Sequence, residues 1–253
     1  MLVAAAVCPQ TPLLVPQVAG EAASELATVR EASIQAVNLL RRAEPDLVIA
    51  IASGGGSGAR EARFGGTFRR FGVDLEGGGS GEVLGGGGGV DEGDGEQEPF
   101  AGLVIARWLF DAAVPASAVR CEGWEIGAGT GAEECAKVGQ ALAERSERVG
   151  LLVIGDGSAR RTEKAPGYLD ERAVPFDDGI SRALADADTA ALAAVDPEVA
   201  SAVMAAGRAP WQVLAAAAGA SGMGWRGELL AYDAPYGVGY FTAFWERAPG
   251  IES

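Results

Sequence analysis

LVAAAV at Leu2–Val7, EAASELATVREASIQAVNLLRRA at Glu21–Ala43 and LVIAIA at Leu47–Ala52 are the three consecutive stretches from which the fold follows. The first and third are short, unbroken apolar runs, the pattern of strands buried on both faces. Pro9 ends the first, and the third runs into Ser53-Gly-Gly-Gly. Between them Leu26, Val29, Ser33, Val37 and Leu40 recur at helical spacing, with Glu25, Arg30, Arg41 and Arg42 elsewhere. Pro45-Asp46 stops this helix. Strand, helix and strand in that order imply a parallel pair joined by a right-handed crossover.

The same alternation continues outward. Phe100–Ala113, Ala132–Arg148 and Phe176–Ala187 have helical periodicity. Val119–Ile126 and Gly150–Ile154 are strands. Asp196-Pro197 makes an N-cap followed by proline in the first turn, and Pro210-Trp211 opens a further helix. Glu228–Tyr232 and Gly237–Trp245 are late strands joined by a turn at Asp233–Tyr236. The expected fold is a single α/β domain over 1–253, with a mostly parallel or mixed central sheet covered by helices on both faces. Residues 53–99 break the pattern. The Gly-rich, acidic stretch 77–98 is expected to be a flexible surface excursion within the domain, because glycine loses the most entropy on ordering.

Composition excludes several functions. Asp and Glu number 35 against 20 Lys and Arg, a net charge of −15. That surface does not displace phosphate counterions or dock on anionic lipid, so neither nucleic acid nor membrane is an expected partner. The count of histidine is 0. A Ser-His-Asp triad, a Cys-His dyad and any His-ligated zinc or iron are therefore excluded. Three cysteines, Cys8, Cys121 and Cys135, lack metal-ligand spacing and suit a reducing cytoplasm. The expected partner is a small molecule; a homo-oligomer stays open.

Three segments carry candidate chemistry. Gly127-Ala-Gly129-Thr-Gly-Ala132 fits a dinucleotide-type glycine pattern between a strand and a helix, with Asp156 downstream, and gives a nucleotide-binding alternative. Gly155-Asp-Gly-Ser-Ala-Arg-Arg-Thr-Glu-Lys164 leaves the carboxyl end of a central strand, where open α/β sheets place ligands. Within it Asp156, Ser158, Arg160, Arg161 and Lys164 are candidate ligand-binding residues, the three cations for an anionic group. Cys8-Pro-Gln-Thr-Pro-Leu-Leu-Val-Pro16 is a rigid loop after the first strand.

Together with Tyr236-Gly-Val-Gly-Tyr240, these segments resemble the class III extradiol ring-cleavage dioxygenases of subunit-B type, in their protein-B and Memo-like branch. The resemblance rests on the Cys8–Pro16 signature, Gly155-Asp-Gly-Ser158 and the closing Tyr236–Tyr240, in that order. It implies the subunit-B-like fold and an oxidoreductase holding Fe(II) with two His and one Glu, with a further His as acid–base group. The matching positions here are Gln10, Ser53-Gly54-Gly55 and, for the acid–base group, Ala159; Glu228 is the one carboxylate match. Every imidazole is absent. The expected function is that of a family member that has lost iron and ring cleavage, with no confident catalytic residue and no cofactor. It would bind a small anionic or aromatic molecule in a pocket built from Cys8, Gln10, Ser53, Asp156, Ser158, Arg160, Arg161, Lys164 and Tyr236. The alternative is an active dioxygenase with non-His metal ligands, for which Fe(II) would be required.

Overall fold

A computed structural model describes residues 1–77, 101–113, 119–145 and 147–248. Its centre is a seven-stranded mixed sheet of a single α/β domain. Four strands are parallel: β1 (Leu2–Cys8), β2 (Leu47–Gly54), β6 (Arg120–Gly127) and β7 (Val149–Ile154). β3 (Ala59–Ala62) pairs antiparallel to β6, and the late strands β8 (Trp225–Asp233) and β9 (Tyr240–Arg247) close the other edge antiparallel to β1. The order is β3-β6-β2-β7-β1-β9-β8. A two-residue ladder of β4 (Gly66–Thr67) and β5 (Glu76–Gly77) stands apart from it.

Strand side chains alternate between two cores. Leu47, Ile49 and Ile51 of β2 face α4 (Ala132–Ala143), α5 (Ala173–Ala185), α6 (Thr189–Ala193) and α8 (Arg208–Ala220). Val48, Ala50 and Ala52 face α2 (Ala27–Arg42) and α3 (Ala101–Ala112), as do Ala4 and Ala6 of β1. The small residues on this face let α3 come close: a Cβ on Gly102 would lie 2.6 Å from that of Ala52. Two short helices complete the chain, α1 (Pro16–Ala19) after the first loop and α7 (Pro197–Ala202), which Asp196 caps through its side chain as expected. Among the described residues no helix is long and apolar enough to cross a membrane.

Several boundaries differ from the sequence reading. The helix expected from Glu21 begins at Ala27, because residues 16–24 fold into α1 and a 3-10 turn broken at Gly20 (φ 57°). The helix expected to reach Arg148 ends at Ala143, where Arg145 turns instead to Glu122 and Glu147. Residues 53–77 are not a loose excursion. They supply β3, which covers the edge of β6, and bury Phe68 completely. Beyond Gly77, the rest of the stretch expected to be flexible, 78–98, lies outside the described residues.

α4 and α8 cross closely at Gly139. A Cβ on Gly139 would lie 2.4 Å from the Val213 carbonyl oxygen and 2.7 Å from the Ala216 Cβ. Gly139→Ala should therefore lower stability by about 1–3 kcal/mol, the usual cost of overpacking. Gly219→Ala on α8 meets nothing within 4 Å and should raise stability by up to about 1 kcal/mol through helix propensity. Urea unfolding of the two variants should show opposite signs.

Candidate functional site

The carboxyl ends of β1, β2, β6 and β7 lie at one end of the sheet. The chain winds β1 to β2 to β6 beneath α2 and α3, then returns through β7 beneath α4 and α8. The loops after β1 and β7 consequently leave toward opposite faces, and where they part is the place at which open α/β sheets have their ligand crevice. The strand ends stay joined, Gly155 N–H donating to the Cys8 carbonyl at 3.0 Å.

Gln10 and Asp156 meet at this place. The Gln10 backbone N–H donates to Asp156 Oδ1 at 2.6 Å. Burial pushes the Asp156 carboxyl up to about 7, against the lowering effect of that one hydrogen bond. The residue as a whole keeps some exposed surface, although its carboxyl is shielded from water. The Gln10 side-chain oxygen is sealed and has no hydrogen-bond partner. It lies against the first turn of α3, where a Cβ on Gly102 would approach it to 3.2 Å. Tyr240 enters from the start of β9. Burial raises its hydroxyl to about 12, the Asp156 charge adds to this, and a hydrogen bond with Thr11 opposes it.

The remaining sequence candidates separate. Ser53 is buried at the end of β2. Cys8 points away into the α2 core, its Sγ 3.9 Å from the Ser33 carbonyl, and burial pushes its thiol up to about 12. It is an inert core thiol and not a pocket residue. Ser158 is fully buried: its N–H and Oγ donate to Asp177 at 2.8 and 2.7 Å. Arg161 donates to Asp177 Oδ2 at 3.0 Å and also bonds the Tyr232 hydroxyl. Arg160 donates to the Ala202 carbonyl at 2.9 Å and lies 3.7 Å from Asp170. Neither arginine is aimed at the crevice, so the expected anion site on this pair is corrected: their charges are spent on intramolecular acceptors. Lys164 and Tyr236 line a separate opening of about 550 Å³ with Thr162, Glu163 and Pro235. Burial raises the Tyr236 hydroxyl, Glu25 adding to the effect from beyond hydrogen-bond distance.

Asp177 was invisible as a site residue because it arrives from α5. One signal existed: it shares a helical face with Ile180 and Leu184, a carboxylate among apolar positions. Its oxygens fill the space left by Gly157 and Gly239, where a Cβ would come within 2.7 and 2.4 Å of them.

The glycine pattern at 127–132 is used internally. Gly127, Ala128 and Gly129 donate their N–H groups to the carbonyls of Gly58, Gly54 and Gly56, and Thr130 donates to Gly127. A Cβ on Gly127 would lie 2.6 Å from the Gly56 oxygen. The donors that would cradle a pyrophosphate are thus occupied by the neighbouring loop, and the nucleotide alternative loses its basis.

The donor set does not fit iron. Ala159 packs against the core and its N–H binds the Val203 carbonyl. Glu228 is exposed on edge strand β8, paired with Phe244, two strands from β1 and away from the crevice. Its candidacy as a ligand is corrected. Gln10, Ser53 and Asp156 are all oxygen donors, and only one of them is a carboxylate. Among the described residues no group of three His, Cys, Asp or Glu side chains could hold a metal ion.

No protein-family profile matches the sequence, and no curated protein matches it either. A crystal structure of the uncharacterized protein JW3007 from Escherichia coli K12 superposes with a TM-score of 0.52 at 12% identity, covering 96% of this chain and 99% of that one. The likeness extends over the whole domain and concerns the fold.

Two outcomes follow from this geometry. Asp177→Ala leaves the Arg161 guanidinium and the Ser158 N–H without their buried acceptor. It should cost about 3–5 kcal/mol in chemical denaturation. Asp156 has a folded pKa above its ordinary 3.8, so the native state holds the proton more tightly than the unfolded chain. Stability therefore falls as pH rises from about 4 to about 7, and the loss is constant above that. Asp156→Asn removes this dependence and keeps an acceptor for Gln10 N–H. The melting temperature of the variant should gain on wild type across that interval and not beyond it.

Proposed function

We propose that this chain is a subunit-B-like member of the extradiol dioxygenase fold that neither holds Fe(II) nor cleaves rings, and that it binds a small molecule in the Gln10–Asp156 crevice. One observation carries the reading: where the loops after β1 and β7 part, Gln10 meets a single carboxylate that burial pushes up to about 7, and Ser53 lies buried at the end of β2. A facial iron triad needs ligands that bind as anions or imidazoles and leave adjacent faces open. Gln10 and Ser53 are neutral, and Asp156 is half-protonated near pH 7. The chemistry such a group suits is proton transfer or hydrogen bonding to a bound molecule.

The ligand class follows from polarity. The second Asp156 oxygen is an acceptor, the Gln10 side-chain oxygen is sealed against α3, and Arg160 and Arg161 are committed elsewhere. A small aromatic molecule carrying N–H or O–H donors fits this lining and the nearby Tyr240, whereas an anion does not.

Purified protein reconstituted with Fe(II) under anaerobic conditions tests the reading. After desalting it should retain no stoichiometric iron, and in air it should not convert catechol or protocatechuate. Close to one iron per chain, or a yellow ring-fission product, favours the active-dioxygenase alternative and sinks the proposal.

A further inference from the structure

A second cavity lies on the opposite side of the β7 loop, independent of the crevice and of the function proposed for it. It has a volume of about 420 Å³ and is walled by Ala128 and Gly129 after β6, by Pro197 and Ala200 of α7, and by Met204 and Ala205. Arg208, the first residue of α8, also lines it. The cavity shares a strand end with the crevice but not its side chains: Gly207 N–H donates to the Asp156 backbone carbonyl, and Arg208 follows directly.

Arg208 is unusual in this molecule. It is 4% exposed, yet no carboxylate of the described residues lies within ion-pair distance. The other deeply placed arginines have one: Arg107 pairs with Asp111 at 2.9 Å and Arg161 with Asp177 at 3.0 Å. Arg208 donates through Nη1 to Thr130 O and to Gln212 Oε1, and through Nη2 to Ala128 O, all neutral acceptors. A guanidinium has five N–H groups. The Nε–H and one Nη2–H are left without an acceptor among the described residues, and Nε is not sealed as that of Arg160 is. Two neighbouring donors on one guanidinium match the two oxygens of a carboxylate. The position adds to this. A cation in the first turn of a helix meets the positive end of its dipole, so guanidinium and helix terminus both favour an anion here.

The walls specify the rest of the ligand. Apart from Arg208 and Ser201 they are backbone, alanine, proline and methionine. Met204 stands at the rim, 50% exposed, held at φ 59° where side chains are rarely found. Its thioether offers a soft contact to an aromatic or aliphatic body. We propose that this cavity is a binding site for a small monocarboxylate with an apolar body, held by Arg208.

Benzoate, its neutral isostere benzamide and the cation benzylamine serve as probes, titrated calorimetrically into the full chain. Benzoate should bind saturably, with benzamide and benzylamine weaker by about tenfold or more, the scale of one charge-assisted contact. Ala205→Phe fills the cavity while keeping Arg208 in the sequence, and should abolish benzoate binding with an unchanged circular dichroism spectrum. If that variant does not fold, Ser201→Phe at the exposed rim provides the same block. Asp156→Asn should bind benzoate as wild type does, which keeps this result separate from the fate of the crevice reading. Absence of saturable binding, equal binding of benzamide, retention of binding in the cavity-filled variant, or loss in Asp156→Asn would each overturn the proposal.

Discussion

The buried carboxylate of Asp177 holds together the elements on which the site depends. Three parts of the chain meet there: the loop after β7 through Ser158 and Arg161, α5 through Asp177 itself, and the closing strands. Gly157 N–H reaches the Gly239 carbonyl at 2.7 Å, and Gly239 N–H returns to Ser158 O at 2.8 Å. A loop leaving a central strand must satisfy its backbone groups where water is scarce. Here one side chain accepts an N–H, a hydroxyl and a guanidinium at once. The glycines at 157 and 239 are required because the carboxylate occupies the volume their side chains would fill. The Gly-Asp-Gly-Ser sequence is thus as much a fixture for α5 as a site motif. It sets the direction in which Asp156 leaves the strand and faces Gln10.

Charge in this molecule is distributed by burial and not by composition. A net −15 suggests that every arginine finds a carboxylate, and most of the internal ones do. Arg208 departs from this: Nη1 and Nη2 bind neutral acceptors, two carbonyls after β6 and Gln212 Oε1, and no carboxylate of the described residues lies within ion-pair distance. Removing a cation from water costs several kcal/mol unless acceptors replace the hydration shell. Neutral carbonyls supply part of that. The cavity beside the guanidinium is where the rest can come from.

The layered fold was legible because its core strands are written without polar interruption. Leu2–Val7, Leu47–Ala52 and Gly150–Ile154 are covered on both faces, so the apolar runs themselves mark them. β3 was not legible. Ala59-Arg-Glu-Ala62 has no strand propensity and pairs only because β6 would otherwise present an open edge. The loops that carry Gln10 and Asp156 could be placed at strand carboxyl ends because each follows an apolar run, and the two residues meet there. Arg160 and Arg161 misled, because linear sequence shows a cluster of charge but not its partners. The acceptor for Arg161 lies 16 residues on, across a turn and into a helix. Cys8 misled for the opposite reason: a strand residue of the right parity turns inward, and the motif around it is a matter of packing.

The absence of histidine and the state of Asp156 belong to the same chemical account. Imidazole is the side chain that ordinarily exchanges protons near neutral pH. A carboxylate reaches that range only by losing solvent without gaining donors. Asp156 is in this condition: it is surrounded by protein, it accepts one N–H from Gln10, and no arginine comes to it because Asp177 and Ala202 O hold the two nearest in sequence. Had Arg161 turned toward the crevice, the attraction would have pulled Asp156 back to the ordinary acidic range and left it a permanent anion. The commitment of the arginines to the scaffold is therefore what makes the crevice carboxyl responsive. A ligand donating N–H or O–H to its second oxygen would lower its proton affinity, and an apolar one that excluded water would raise it. The protonation of Asp156 would thus depend on what filled the crevice.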